Sequence, residues 1–441
     1  MWKRTGLEHD RIAYRQMCRT SNRLINKSRH DHYAAQIESA NCCKDRWRTV
    51  NSLLHSGKKR TVHSSADNSK LCVSFSNYFA DKIDKLKRVV ASEVIALGTP
   101  RPAELHFTGL ALNNLSCVTL VEVSKILTSI PAKSSPLDFI PTSLLKQCNM
   151  LFAEIIARLG NMSFSQGIFP TKYKFSVVTP LLKKPNLNSD VPANFRPISN
   201  LNNISKIIER LFLSRIQPHV CSSGNFSPTQ SAYRRHHSTE TALLHTLDYV
   251  YHSSDNRQPT IVVSLDFSSA FDTIDHAILL SRLNDCFGLS GNALAWVESY
   301  LQNRYQCVQL GQAASPYTLC LTGVPQGSVL GPLLFSCYVS PISSIASSHN
   351  VGIQQYADDT QLYIALKASE SSTQLAQFSS CLSSLHDWFC HNGLSLYSSK
   401  SESILFGSSQ RMCSFPAVIL PSLAQLFPSQ IQSRFLSNLR H

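Results

Sequence analysis

Two adjacent carboxylates, Asp358 and Asp359, sit inside Gln354-Gln355-Tyr356-Ala357-Asp358-Asp359-Thr360-Gln361-Leu362-Tyr363-Ile364, with apolar residues on both sides. That pattern predicts a β-hairpin whose turn displays the acids. Aspartate is also an ordinary turn former, so the pair alone would not require chemistry. A third acid changes the balance. Ile261-Val262-Val263-Ser264-Leu265-Asp266 is a β-branched run that ends in a carboxylate, at the end of a strand where sheets present ligand-binding groups. If strand and hairpin lie side by side, Asp266, Asp358 and Asp359 converge. Three such anions repel one another and need cations among them. An all-oxygen donor set suits a hard divalent ion, Mg²⁺ above all, with Mn²⁺ as its substitute. Two ions about 4 Å apart would activate an attacking hydroxyl and hold the leaving oxygen of an in-line phosphoryl displacement. Asp272 and Asp275 lie close by in sequence; Asp275 fits the cap of a helix starting near His276, and neither is given a catalytic role.

Between the acids lies Gly323-Val324-Pro325-Gln326-Gly327-Ser328-Val329-Leu330-Gly331-Pro332-Leu333-Leu334-Phe335, a tight loop leading into an apolar helix. Its small residues let backbone approach a ligand closely. The elements that must position these groups begin near residue 175. There, short apolar strands such as 175–182 and 261–266 alternate with helices such as 239–250 and 277–283, which predicts an α/β body. Upstream, residues 117–169 predict two or three helices punctuated by Pro136, Pro141 and Pro170, and residues 70–90 an amphipathic helix carrying Phe75, Tyr78, Phe79, Ile83 and Leu86. Residues 1–60 space Ile12, Tyr14, Leu24, Tyr33, Ile37, Trp47 and Leu53 as the buried side of further helix, with Gly57-Lys58-Lys59-Arg60 opening a loop. The expected divisions are a basic helical connector or N-terminal extension (1–100), a helical lead-in (101–174), the α/β body (175–407) and a tail without convincing period (408–441).

At 441 residues and 43% hydrophobic content the chain can bury sizeable cores, which excludes wholesale disorder. Lys+Arg 42 against Asp+Glu 28 leaves +14, and residues 1–100 hold nineteen basic and nine acidic side chains, so +10 of the excess lies there. A basic flank on a nearly neutral body suits a polyanion such as a phosphate backbone, although a solvated basic helix surface would look the same. On the first view Lys58, Lys59 and Arg60 are candidate nucleic-acid contacts. Fourteen cysteines are scattered without Cys-x-x-Cys pairs or zinc-type Cys/His spacing, and Met1-Trp2-Lys3-Arg4 leads into polar sequence rather than a signal peptide. Reduced thiols in the cytoplasm or nucleus are therefore expected. No run approaches eighteen apolar residues, so no membrane span is expected.

Taken together, Tyr356-Ala357-Asp358-Asp359, Pro325-Gln326-Gly327-Ser328-Val329-Leu330-Gly331-Pro332 and Asp266-Phe267-Ser268-Ser269-Ala270-Phe271-Asp272 resemble the palm motifs of reverse transcriptases. Asn194-Phe195-Arg196-Pro197-Ile198-Ser199, Ser238-Thr239-Glu240-Thr241-Ala242 and Ser299-Tyr300-Leu301-Gln302-Asn303-Arg304 are similar to the LINE-type, non-LTR retrotransposon polymerases, particularly their jockey-like branch. The resemblance runs from about residue 115 to 407, with every motif in order. It implies an α/β (α+β) right-hand fold of fingers and palm, and an RNA-directed DNA polymerase that adds dNTPs to a DNA primer on an RNA template. By the same resemblance Asp266 and Asp358 would ligate both Mg²⁺ ions, Asp359 would support the pair, and the Phe267 carbonyl would complete a shell. Phe271 matches the bulky gate that collides with a ribose 2′-hydroxyl, with ordinary core packing as the alternative role. Gln326 and Gly327 would lie along nucleotide and template, and Arg196 would grip the triphosphate, Lys183 or Lys184 serving likewise. Lys400, beyond Trp388, would protonate the leaving pyrophosphate, although Tyr397 stands where Asn is usual and Ser401 replaces Thr.

Polymerases of this type continue into a primer-grip turn and a helical thumb. After Phe406-Gly407 neither is recognisable, so the thumb is expected to be missing or truncated, and nothing in residues 1–100 resembles the endonuclease that precedes the polymerase in full-length elements. An internal fragment is expected on that reading. Since a thumb supplies phosphate contacts and small misplacements cost orders of magnitude in rate, the alternative function is a catalytically inactive nucleic-acid-binding remnant.

Overall fold

The computed structural model describes residues 7–40, 45–47, 50, 68–100, 106–184, 186–189, 191–396 and 401–407. Lys58, Lys59, Arg60, Lys400 and the tail from residue 408, including the expected loss of a thumb, lie outside the described residues. The chain divides into two compact units between Ser65 and Ala66.

In the first unit, α1 (Glu8–Glu38) runs for 31 residues and buries none of them. The helical spacing expected there is present, but the expected buried side is not. Ile12, Tyr14, Leu24 and Trp47 are all more than half exposed, because among the described residues of this unit no second layer covers the helix. Amphipathic spacing states that a helix has an apolar side, not that something meets it.

The second unit is a mixed α/β body. Its elements are α2 (Asn68–Leu97), α3 (Leu120–Ser129), α4 (Thr142–Gln147), α5 (Asn149–Gln166), β1 (Phe175–Leu182), β2 (Phe195–Asn200), α6 (Asn203–Ser222), α7 (Thr239–Asp255) and β3 (Thr260–Leu265). They continue with α8 (His276–Asp285), α9 (Gly291–Leu301), β4 (Arg304–Leu310), β5 (Ala313–Ala314), β6 (Thr318–Cys320), α10 (Gly331–Val339), α11 (Ile342–Ser348), β7 (Gly352–Tyr356), β8 (Asp359–Ala365), α12 (Ser371–His391) and β9 (Glu402–Phe406). Local chemistry sets the helix starts. Thr119 and Glu122 form a reciprocal capping box on α3, Asn202 caps α6, and Asp275 accepts from the Ile278 N–H to cap α8.

Two sheets form. One has the order β2-β1-β4-β5 with β6 also on β4; the other has the order β7-β8-β3-β9 and is antiparallel throughout. β1 and β4 are the parallel pair in the first sheet. The main core is centred on aromatic packing such as Phe212 stacked on Trp296 at 3.9 Å, with Phe169 edge-on to the same indole at 5.3 Å. A second cluster is contributed by α2, whose Phe75 and Phe79 pack on Val178, Phe195 and Val308 of the first sheet. Residues 68–97, expected within the basic connector, thus pack on the sheet carrying β1, β2 and β4. Among the described residues no helix is long and apolar enough to cross a membrane.

Candidate active site

β7 and β8 are paired from Gly352↔Tyr363 to Tyr356↔Asp359, which leaves Ala357-Asp358 as a two-residue turn. β3 lies on the other side of β8 in antiparallel register, the last pair being Leu265↔Thr360. One step further along both chains stand Asp266 and Asp359, just beyond the last paired positions. The strand register therefore places Asp266, Asp358 and Asp359 at one end of the second sheet, although their carboxylate oxygens do not all lie within 4.8 Å of one another. Electrostatics agree with that placement. Burial raises the Asp358 carboxyl above the usual range and the nearby Asp266 raises it further, while Arg196 opposes the shift. Asp359 is raised by burial, then by Asp358 and Asp266, again opposed by Arg196. Crowded anions that resist ionisation, with oxygen donors only, fit a hard divalent cation, which would relieve the repulsion that raises them.

The turn is held by a residue the sequence did not single out. Ala357 adopts φ +58°, a left-handed conformation that costs an L-residue about 1 kcal/mol. The buried Gln230 side chain spans that peptide: its Oε1 accepts from the Ala357 N–H at 2.9 Å and its Nε2 donates to the Ala357 carbonyl at 3.2 Å. The surrounding segment adds to the free edge of β7. Gln355 N–H donates to the Thr229 carbonyl, Ser231 N–H to the Gln355 carbonyl, and the Gln354 amide to the Ser231 hydroxyl. Gln230 sits in polar loop sequence, Thr229-Gln230-Ser231, where no local pattern marks it.

The glycine loop approaches from the other side. Gly323 N–H donates to the Ile274 carbonyl and Val324 N–H to that of Phe271, which lays the loop on the segment after Asp266. A Cβ at Gly323 would meet the Asp272 carbonyl at 2.7 Å, and one at Gly327 the Ser199 carbonyl at 2.5 Å. Both glycines also have positive φ, so the close approach and the conformation exclude other residues. The Gln326 amide donates to both Asp272 oxygens, at 3.0 and 2.9 Å, while its backbone carbonyl accepts from Ser199. Burial pushes the Asp272 carboxyl up to about 6, against the pull of Gln326 and Lys82. Lys82 of α2 also donates to the Ser269 hydroxyl at 2.6 Å, which brings a cation from the N-terminal helix onto the 266–272 segment. At the start of α10, Val329 and Leu330 N–H groups donate to the buried Glu209 carboxylate at 2.8 and 3.2 Å. Glu209 did carry a sequence signal, as a lone acid between Ile207-Ile208 and Leu211-Phe212 on a face that must be buried.

The remaining expected residues are placed as follows. Phe271 is half-buried and stacks on Phe335 with centroids 4.7 Å apart. Phe267 has a buried ring edge-on to Phe389, and its backbone bridges to Leu396. Arg196 is exposed on β2, with its charge felt at Asp358 and Asp359. Lys183 donates to the Ala193 carbonyl at 2.7 Å, and Lys184 is exposed.

Comparison with known proteins supplies the rest. A model of the reverse transcriptase (RNA-dependent DNA polymerase) family matches residues 182–433, beyond residue 407 where the sequence motifs end. A probable RNA-directed DNA polymerase from transposon BS of Drosophila melanogaster is 27% identical over 62% of this chain and 30% of its own length. The RNA-directed DNA polymerase from mobile element jockey of the same fly is 26% identical over 68% of this chain and 33% of its own. The Pol polyprotein from type-1 retrotransposable element R2 of Popillia japonica is 25% identical over 56% and 34%. The chain spans about a third of the length of the curated relatives it matches.

Proposed function

This chain belongs to the reverse transcriptase family, in its non-LTR retrotransposon type, and we propose that it extends a DNA primer with dNTPs on an RNA template. The observation that supports this is the β3–β8 register, whose last pair Leu265↔Thr360 leaves Asp266 and Asp359 next in line beside the Asp358 turn. Asp266, Asp358 and Asp359, with the Phe267 carbonyl, would hold two Mg²⁺ ions. When bound, such ions supply activation of the primer 3′-hydroxyl and charge stabilisation for departing pyrophosphate.

The chain's own groups do the positioning. The β7-β8-β3-β9 sheet serves as the palm and β1-β2 with their flanking helices as fingers. Arg196, whose charge already reaches the acids, steers the triphosphate toward them. Phe271, fixed by its stack on Phe335, stands where a bulky side chain rejects a ribose 2′-hydroxyl. Gly327 lets backbone lie along the template, while Gln326 braces Asp272 beside it. Lys400 provides the proton for pyrophosphate, and Lys58, Lys59 and Arg60 hold nucleic-acid phosphates. This work would take place in the nucleus and cytoplasm.

The test is primer extension by the purified chain with Mg²⁺, poly(rA) and oligo(dT). Incorporation should occur, Asp358→Asn should abolish it, and Phe271→Val should admit ribonucleotides. Salt-dependent RNA binding without incorporation would mean a non-catalytic remnant. Extension surviving Asp358→Asn would refute the site.

A further inference from the structure

Three side chains of different chemistry meet where α2 packs on α12. Cys390 Sγ lies 3.2 Å from Glu93 Oε2 and 3.7 Å from His386 Nε2. Oxygen, nitrogen and sulfur all fall within 4.8 Å of one another, and among the described residues no other group of three His, Cys, Asp or Glu does so. His386 and Cys390 are four apart on α12, hence on one helical face. Glu93 arrives from α2, almost three hundred positions earlier in the chain. Sequence spacing could not reveal this group, because only the packing of α2 supplies the third member.

We propose that Glu93, His386 and Cys390 form a zinc site that fastens α2 to α12. Thiolate, imidazole and carboxylate are the donors zinc takes, at about 2.3, 2.0 and 2.1 Å. In a tetrahedron those lengths set the ligand atoms about 3.3 to 3.6 Å apart, an interval that the two separations, 3.2 and 3.7 Å, lie within about 0.1 Å of on either side. The thiol is buried whereas Glu93 and His386 are partly exposed, so an ion can enter from solvent and keep its fourth position for water. His391 is not a competing ligand, since its Nε2 is engaged by the Thr99 carbonyl at 2.9 Å and its Nδ1 by that of Asp387. The Cys390 S–H donates to the Glu93 carboxylate, and zinc entry displaces that proton to solvent as the S–Zn bond forms. The ion would thus replace one hydrogen bond by three coordinate bonds joining the two helices.

The chain carries fourteen cysteines, so uptake alone would prove little. The full chain is stripped with chelator and titrated with Co²⁺, then Zn²⁺, under reducing conditions and excess Mg²⁺ to occupy the carboxylate site. A thiolate-to-cobalt charge-transfer band should appear with one equivalent and vanish on adding zinc. Cys390→Ser should remove the band and weaken zinc binding by at least about 100-fold, more than loss of an outer-shell partner costs. His386→Gln and Glu93→Gln, at partly exposed positions that leave folding intact, should each weaken it as well. No cobalt band in the parent chain would overturn the proposal. So would a band and affinity unchanged in His386→Gln and Glu93→Gln, which would mean that Cys390, His386 and Glu93 form a hydrogen-bond network only.

Discussion

The placement of the acids was legible because spacing carries it: a β-branched run ends in Asp266 and a hairpin turn displays Asp358-Asp359, and the structure sets β3 beside that hairpin. The groups that position them were not. Gln230 works through tertiary contact with a strained peptide, and no run of residues announces that. Gln230→Ala should leave the chain folded but free the Ala357 turn, lowering kcat for primer extension by about 100-fold, the scale of a 1 Å misplacement. The KM for dNTP should move less than about threefold, since Gln230 touches the turn rather than substrate; a KM change that accounted for the whole loss would remove the positioning role. Asp272 offers a test in stability. Its carboxyl is pushed up to about 6 in the fold, above an unfolded value near 3.9. Between those limits the folded chain holds more protons than the unfolded one, so stability falls as pH rises from about 4 to about 6 and then levels. Asp272→Asn keeps an acceptor for Gln326 and removes the titration. Urea midpoints should coincide near pH 4 and favour the variant above pH 6 by up to about 3 kcal/mol. A difference that stayed constant with pH would show that the carboxyl is not buried as described.

At the level of elements, β1 and β3 were readable almost to the residue, because short apolar, β-branched runs bounded by turn formers leave few alternatives. Helix α2 was readable as a helix but not as part of the α/β body. The periodicity of Phe75 and Phe79 declares an apolar side, whereas the surface that covers it, Val178, Phe195 and Val308, comes from three strands far along the chain. That covering makes α2 more than a connector. It brings Lys82 to Ser269 and Glu93 to Cys390. Phe75, 1% exposed and edge-on to Phe195 at 4.9 Å, carries much of the contact. Phe75→Ala should destabilise the chain by about 3–5 kcal/mol, as for a large aromatic removed from a packed core. Chemical denaturation would measure it. A loss below about 1 kcal/mol would show that α2 unfolds separately from the sheet it covers.

For the whole molecule, the decisive property is where the charge lies. Residues 1–65 carry fourteen Lys/Arg and five Asp/Glu, a net +9, and form one compact unit; the remaining 376 residues carry only +5. Among the described residues, α1 buries nothing, so its apolar spacing does not explain the segment. Two accounts remain for the charge: a polyelectrolyte contact with nucleic acid, or a solvated surface. Counterion release separates them, since each phosphate neutralised on a single strand steepens log K against log[salt] by about 0.7. If residues 1–65 engage even six phosphates, the full chain should bind single-stranded RNA with a slope steeper by about 4 than a chain beginning at Ala66. The shortened chain retains the carboxylate site and the whole of its compact unit. It should therefore still extend a preannealed primer–template at low salt, while losing affinity for RNA as salt rises less steeply than the full chain does. Equal slopes would assign the basic segment to solvent and leave the nucleic acid to be held by the α/β body alone.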